Sequence, residues 1–355
     1  MLLVLLAACD GPAAPNGFND PAPLCSLAPD LLVGASVPDA IPALTEPTLI
    51  RADEAAYLDD ADRVLGVVIH GEARAYPHPI LWSHEVVNDR FGSRWVTVSY
   101  CPLTGSGLAM DAVVEGRRVE FAVSGLLFAN NLVLFDRITE DLFGPQLAVS
   151  GRCQRFLGAT PQLLPVQEMS WKEWRTLHPE TQVLSDDTGY SRNYRWYPYG
   201  SYDEVGNRDL LYPMEVDDSR PLKERVLAIV PRDGVPVGFP FGALGARGAR
   251  SAIHPIVAGR RAVVFYDAAD GETAVAYDAE LDGTALSFDA ISAGDEDTNA
   301  ARFRDRETGS AWTLGGKAVA GPLAGSHLTP LAHAYVMFWF AWRHFHPDGE
   351  TWTTS

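Results

Sequence analysis

Alternating apolar positions mark short strands along the chain. Trp95 to Tyr100, Val119 to Val123 and Leu132 to Phe135 read as strands, and so do Ala262 to Tyr266, Thr273 to Tyr277 and Leu286 to Phe288. Glu115-Gly116 and Asp282-Gly283 mark turns between them. Helical signals are fewer. Ser170 is a suitable N-cap for Trp171 to Leu177, and His178-Pro179 stops that helix. The apolar run Ala334 to Phe345 reads as a second helix ending at His346-Pro347. The expected fold class is α+β, with mainly β segments each closed by a C-terminal helix.

The same order of signals occurs twice. Arg63-Val64-Leu65-Gly66-Val67 resembles Arg225-Val226-Leu227-Ala228-Ile229, and Asp136-Arg137-Ile138-Thr139 resembles Asp305-Arg306-Glu307-Thr308. Trp171-x-x-Trp174-x-x-x-His178-Pro179 returns as Trp339-x-x-Trp342-x-x-x-His346-Pro347. Conserved order at nearly constant spacing predicts two duplicated halves, a pair rather than a solenoid. The expected divisions are a signal segment at 1–8, a lipid-anchor Cys and tether at 9–30, and a first half at 31–185. A Tyr-rich link at 186–221 and a diverged second half at 222–355 follow. The Trp/His spacing puts both indoles and the imidazole on one helix face, which reads as architecture.

Charge and cysteines narrow the setting. The 355 residues carry 28 Lys and Arg against 46 Asp and Glu, a net charge of −18. That balance argues against nucleic acid as a partner, whose phosphates it would repel. The opening Met1-Leu2-Leu3-Val4-Leu5-Leu6-Ala7-Ala8-Cys9 resembles a bacterial lipoprotein signal, although no basic residue precedes the apolar run. This resemblance implies lipidation at Cys9 and a membrane partner through that lipid. It also implies a cell-envelope, periplasm-facing location, with Asp10 favouring the inner membrane. The Pro-, Ala- and Gly-rich stretch 10–23 suits a tether. In an oxidising compartment, Cys25, Cys101 and Cys153 suggest one disulfide and one leftover thiol, with all three pairings open.

Features present in only one copy are the better candidates for chemistry. Three segments lack a counterpart in the second half: His84-Glu85-Val86-Val87-Asn88-Asp89, Tyr100-Cys101-Pro102-Leu103-Thr104-Gly105, and Ser124-Gly125-Leu126-Leu127-Phe128-Ala129-Asn130-Asn131. Together with the link Asp187 to Gly200, they resemble the bacterial domain of unknown function 3179, which implies boundaries and a site location but no activity.

Cys101 ends a strand-like run, where a thiol can face a cleft, and His84 could orient or deprotonate it as in Cys–His pairs. Alternatively, Cys101 and His84 share a soft metal such as Cu or Zn, although two ligands fall short of a closed site. The plainer alternatives are a buried or disulfide-bonded Cys101 and a helix that carries Val86 and Val87 inward with His84 solvated. Ser124, Asn130 and Asn131 offer groups for a polar ligand or an oxyanion, or simply terminate a turn. Arg192 and Tyr197, in a link rich in Tyr, suit stacking and cation–π recognition, or a seam between the halves. The leading expectation is an envelope lipoprotein with a ligand or metal site around Cys101. A thiol-dependent enzyme using Cys101 with His84, and a structural or partner-binding lipoprotein, are the alternatives.

Overall fold

The computed structural model describes residue 27 and residues 32–292 and 300–354. The signal segment, Cys9, Asp10 and Cys25 lie outside the described residues. The protein is mostly β with four α-helices among the described residues, so the α+β class holds. No described helix is long and apolar enough to cross a membrane.

The first sheet is built on the hairpin Arg63–Ile69/Glu72–Pro77, which turns at His70-Gly71 with positive φ at both residues. Gln167–Ser170 adds antiparallel to the first strand, and Gln182–Leu184 adds parallel to the second. Helix α1 (His78–His84) leaves the hairpin directly, and α2 (Trp171–Leu177) leaves Gln167–Ser170. The Ser170 hydroxyl accepts from the Glu173 amide at 3.2 Å, the cap expected there.

A second sheet runs through Val86–Phe91, Arg94–Cys101 and Ser106–Asp111. A third is built on Phe121–Phe128 and Asn131–Asp136.

From residue 225 the connectivity repeats. Arg225–Ile229 and Val237–Pro240 form a hairpin; Ala334–Phe338 joins one side antiparallel and Glu350–Thr351 the other side parallel. Helix α3 (Phe241–Ala246) leaves that hairpin as α1 does, and α4 (Trp339–Phe345) follows Ala334–Phe338 as α2 follows Gln167–Ser170. Strands Arg260–Asp267 and Thr273–Asp278 then match Arg94–Cys101 and Ser106–Asp111 in order and pairing. Side chains follow. Asp136 accepts from the Thr139 hydroxyl at 2.7 Å and Asp305 from that of Thr308 at 2.8 Å. Trp174 meets His178 at a tilt with centroids 4.2 Å apart, and Trp342 meets His346 in the same way at 4.9 Å.

Helices α2 and α4 each dock where a strand residue lacks a side chain. A Cβ at Gly66 would lie 2.1 Å from the Trp174 ring, and one at Gly238 would lie 2.5 Å from Trp342. The glycines sit on opposite strands of their hairpins: Gly66 pairs with Ala75, and Gly238 with Ala228. The same indole pocket is therefore opened from either strand. Cores cross the midline. Trp171 and Trp174 pack with Phe265, Tyr277 and Trp312, whereas Trp339 and Trp342 pack with Phe121 and Phe143.

Four expectations differ. The run Ala334 to Phe345 is a strand to Phe338 and a helix only from Trp339. An apolar run buried on every side carries no periodicity that separates the two. Neither α2 nor α4 is the last element, since a short strand follows each. Val86 and Val87 belong to a strand and not a helix, because Glu85 turns left-handed and ends α1. The strand expected at Leu286 begins at Phe288.

Candidate functional site

Cys101 closes its strand and pairs with Ser106 across the turn Pro102–Gly105. Gly105 has φ 57°, and a Cβ there would lie 2.6 Å from the Phe338 ring, so this turn needs glycine. The second half presses on it, with the Phe338 amide donating to the Thr104 carbonyl at 2.8 Å. Beneath lies a buried polar network. Asn131 donates to the Thr104 hydroxyl at 2.9 Å and to Gln146 Oε1 at 3.1 Å, and accepts from the Leu147 amide at 2.9 Å. Gln146 in turn accepts from Ser106 Oγ at 2.7 Å and donates to the Ser99 carbonyl at 3.1 Å. Asn131, Thr104, Ser106 and Gln146 are fully buried, so the network fixes the turn that carries Cys101.

Cys101 is a free thiol, 1% exposed, and its Sγ donates to the Asn130 carbonyl at 3.7 Å. Burial pushes its pKa up to about 11, and the nearby Glu85 carboxyl adds to that push. At neutral pH it is a protonated thiol.

Glu85 is the group that sequence reasoning passed over. Its φ is 58°, which costs an L-residue about 1–2 kcal/mol. Its amide donates to the Leu81 carbonyl, and its own carbonyl accepts from the Tyr100 amide, both at 2.8 Å. Those bonds hold it beside the strand end that carries Cys101. The side chain is 5% exposed, and its carboxyl makes no hydrogen bond or ion pair among the described residues, although its oxygens keep a trace of solvent contact. Burial alone raises its pKa to about 8. A strained backbone and an uncompensated buried acid at one residue are a marker of functional sites. The available signal was its place in a segment absent from the second half.

Tyr197, Tyr199 and Tyr202 cover the thiol side. Tyr197 meets Trp82 edge-on at 4.9 Å and Tyr199 at 5.6 Å, and the Tyr202 hydroxyl donates to the Leu103 carbonyl at 3.0 Å. Burial holds all three phenols above their ordinary pKa, with the neighbouring thiol adding to it.

The other expected site residues lie elsewhere or act as props. His84 is fully buried with both nitrogens committed, Nδ1 at 2.7 Å from the Pro42 carbonyl and Nε2 at 2.7 Å from the Tyr194 hydroxyl. Desolvation lowers its pKa, with a smaller contribution from exposed Arg192. Neither ring nitrogen is left to pair with Cys101. Ser124 donates to the Val133 carbonyl at 2.5 Å and accepts from the Leu126 amide at 3.1 Å, where the strand register shifts. Asn130, at φ 60°, donates to the Tyr212 carbonyl at 2.8 Å and accepts from the Tyr212 amide at 2.9 Å. Among the described residues no three His, Cys, Asp or Glu side chains stand together as metal ligands.

The second half fills the equivalent place. Asp267 closes its strand opposite Thr273 as Cys101 does opposite Ser106. It is buried against Arg250, with Nε to Oδ2 at 2.7 Å. One half thus holds a closed ion pair where the other holds a neutral thiol and an unpaired acid.

No curated protein and no solved structure matches the chain. A family model does, over residues 38–349, which takes in both hairpins, both Trp helices and the Cys101 turn. The chain belongs to the family described as protein of unknown function DUF3179.

Proposed function

We propose that the chain is a lipid-anchored protein of the bacterial cell envelope that binds a small ligand at the Cys101–Glu85 centre of its first half. The carrying observation is the free, buried Cys101 thiol beside the unpartnered Glu85 carboxyl. Both are neutral at pH 7 and face an aromatic wall, so they offer hydrogen bonds without a fixed charge. A built-in acid with no protein partner is costly to keep unless something else contacts it. The matched connectivity and side-chain contacts of the two halves support a duplication in which 31–185 kept a site. The 186–221 link closes over that site, and 222–355 replaced it with an ion pair.

Anchoring rests on Leu-Ala-Ala-Cys9 and the tether behind it, with Asp10 favouring the inner membrane. A Cys25–Cys153 disulfide fits the oxidising compartment, given that Cys101 is the free thiol. Cu and Zn are the metals to test as probes; Cys101 supplies the soft donor and Glu85, rather than His84, the second ligand.

A thiol-dependent enzyme is the second reading. It is favoured by one observation: Glu85, at about 8, is tuned near the range of a general base. In that version Glu85 takes the part first expected of His84, and the raised Cys101 pKa requires deprotonation within an encounter complex.

Native mass spectrometry of protein released gently from membranes tests binding. The expected result is an added mass, or Cu(I) or Zn uptake on titration, that Cys101→Ser abolishes and Glu85→Gln weakens. A bare wild-type mass, together with metal uptake equal in all three proteins, overturns the reading.

A further inference from the structure

We propose that Tyr197–Tyr212 is a hinged strap that must lift to admit ligand to Cys101, an inference that rests on the site proposed above and supplies its gate.

Between Leu184 and Arg225 the chain forms no strand or helix, although it crosses the turn that carries Cys101. Structureless connections of this length in a compact protein are uncommon, and many are lids. Just over half of the strap is exposed; Tyr202 is its buried anchor, and Tyr197, Tyr199, Leu210 and Tyr212 rest half-buried on the core. Few hydrogen bonds hold it. The Tyr202 hydroxyl reaches the Leu103 carbonyl at 3.0 Å, one residue before Thr104 in the Cys101 turn. Asn130 clamps the Tyr212 peptide from both sides, and the same residue's carbonyl accepts the Cys101 thiol. One residue thus reports strap position to the thiol.

The third fastening is Lys223. It is fully buried, and no carboxylate lies within ion-pair distance of it among the described residues. Its Nζ donates to the Asp209 carbonyl at 2.6 Å and lies 3.6 Å from the Tyr202 ring centroid and 5.0 Å from that of Phe340. A cation held by a carbonyl and aromatic faces is a releasable latch, because no buried counter-ion is stranded when the strap leaves. The outer stretch is fastened separately, through Arg195 to Asp62 and Tyr194 to His84. Those contacts make the stretch before Tyr197 a fixed end, and Lys223 marks the other. Burial lowers Lys223 to about 8 against the opposing pull of the Asp209 carboxylate, and burial raises Glu85 to about 8, so alkaline solution weakens the latch while it charges the acid beneath.

Pulse modification of the full chain with N-ethylmaleimide, read at the Cys101 peptide, tests the gate. Tyr202→Phe removes one hydrogen bond and keeps the ring; Lys223→Met keeps the volume and removes the latch charge. Each is expected to raise the Cys101 rate roughly three- to tenfold, with the urea midpoint unchanged in at least one. Amide exchange in 199–212 should accelerate in step while that in Arg94–Cys101 stays slow. Cys101 rates unchanged in both variants, or rising only with global unfolding, overturn the strap. Ligand retention lost in Cys101→Ser while the strap variants behave like wild type would refute the gate and leave the site standing. Faster modification with no ligand retained by wild type would do the reverse.

Discussion

Replacing Glu85 with Gln should stabilise the protein, which is the opposite of what loss of a structural carboxylate does. The folded chain holds the Glu85 proton up to about pH 8, whereas the unfolded chain releases it near its ordinary value of 4.5. A raised folded pKa means full stability below the unfolded value and progressive loss as pH climbs toward the folded one. By pH 7 the unfolded state has gained about 3 kcal/mol, at about 1.4 kcal/mol per pH unit. Gln keeps the shape and carries no titrating proton, so Glu85→Gln should be about 3 kcal/mol more stable than wild type at pH 7. The two should converge toward pH 4.5. Urea unfolding at pH 5, 6, 7 and 8 reads this directly as a gap in midpoint that widens with pH. Parallel pH profiles for the two proteins, or a variant less stable at every pH, would refute the claim that Glu85 is buried without a partner.

Other consequences are narrower. Alkylation of Cys101 should be slow at pH 7 and keep rising toward pH 11; a plateau near neutrality would show a low-pKa thiolate. Asn131→Ala should cost roughly 2–3 kcal/mol in urea unfolding, because it strands buried partners on Thr104, Gln146 and Leu147. A loss under half a kcal/mol would refute the network. Gly66→Ala and Gly238→Ala should each destabilise by roughly 1–3 kcal/mol through the same indole clash; silence at either site would break the equivalence of the halves.

Much of the frame was legible because it rests on short-range rules. Ser170 had one good partner three residues on, and Glu115-Gly116 and Asp282-Gly283 adopt the positive φ such pairs tolerate. The matched order of motifs pointed to repeated connectivity, which no single motif did. The candidate residues were legible, but not how they are arranged. Segments without a counterpart after residue 225 singled out Cys101, Asn131, Ser124 and His84; the fold puts Cys101 and Asn131 at one turn, while Ser124 and His84 brace a strand and the link. A polar residue kept in one copy can be there to brace what surrounds a site. Glu85 stood beside His84 in the sequence, yet which of the two buried neighbours lies by Cys101 depends on the left-handed turn that ends α1. That turn is held by backbone hydrogen bonds from Glu85 to Leu81 and from Tyr100 to Glu85, and periodicity does not encode it. Tyr199 and Tyr202 were part of an aromatic stretch whose choice of faces only the fold makes.

The central claim is that a free Cys101 and its acid neighbour hold a small ligand. Brief alkylation of unreduced protein taken from membranes, before and after exhaustive dialysis at pH 8, followed by peptide mapping, bears on it most directly. An unpaired Cys101 should react slowly as isolated and faster once small molecules are removed, with Cys153 unmodified throughout. Cys101 recovered in a disulfide, or reacting at the same rate before and after dialysis, would contradict it.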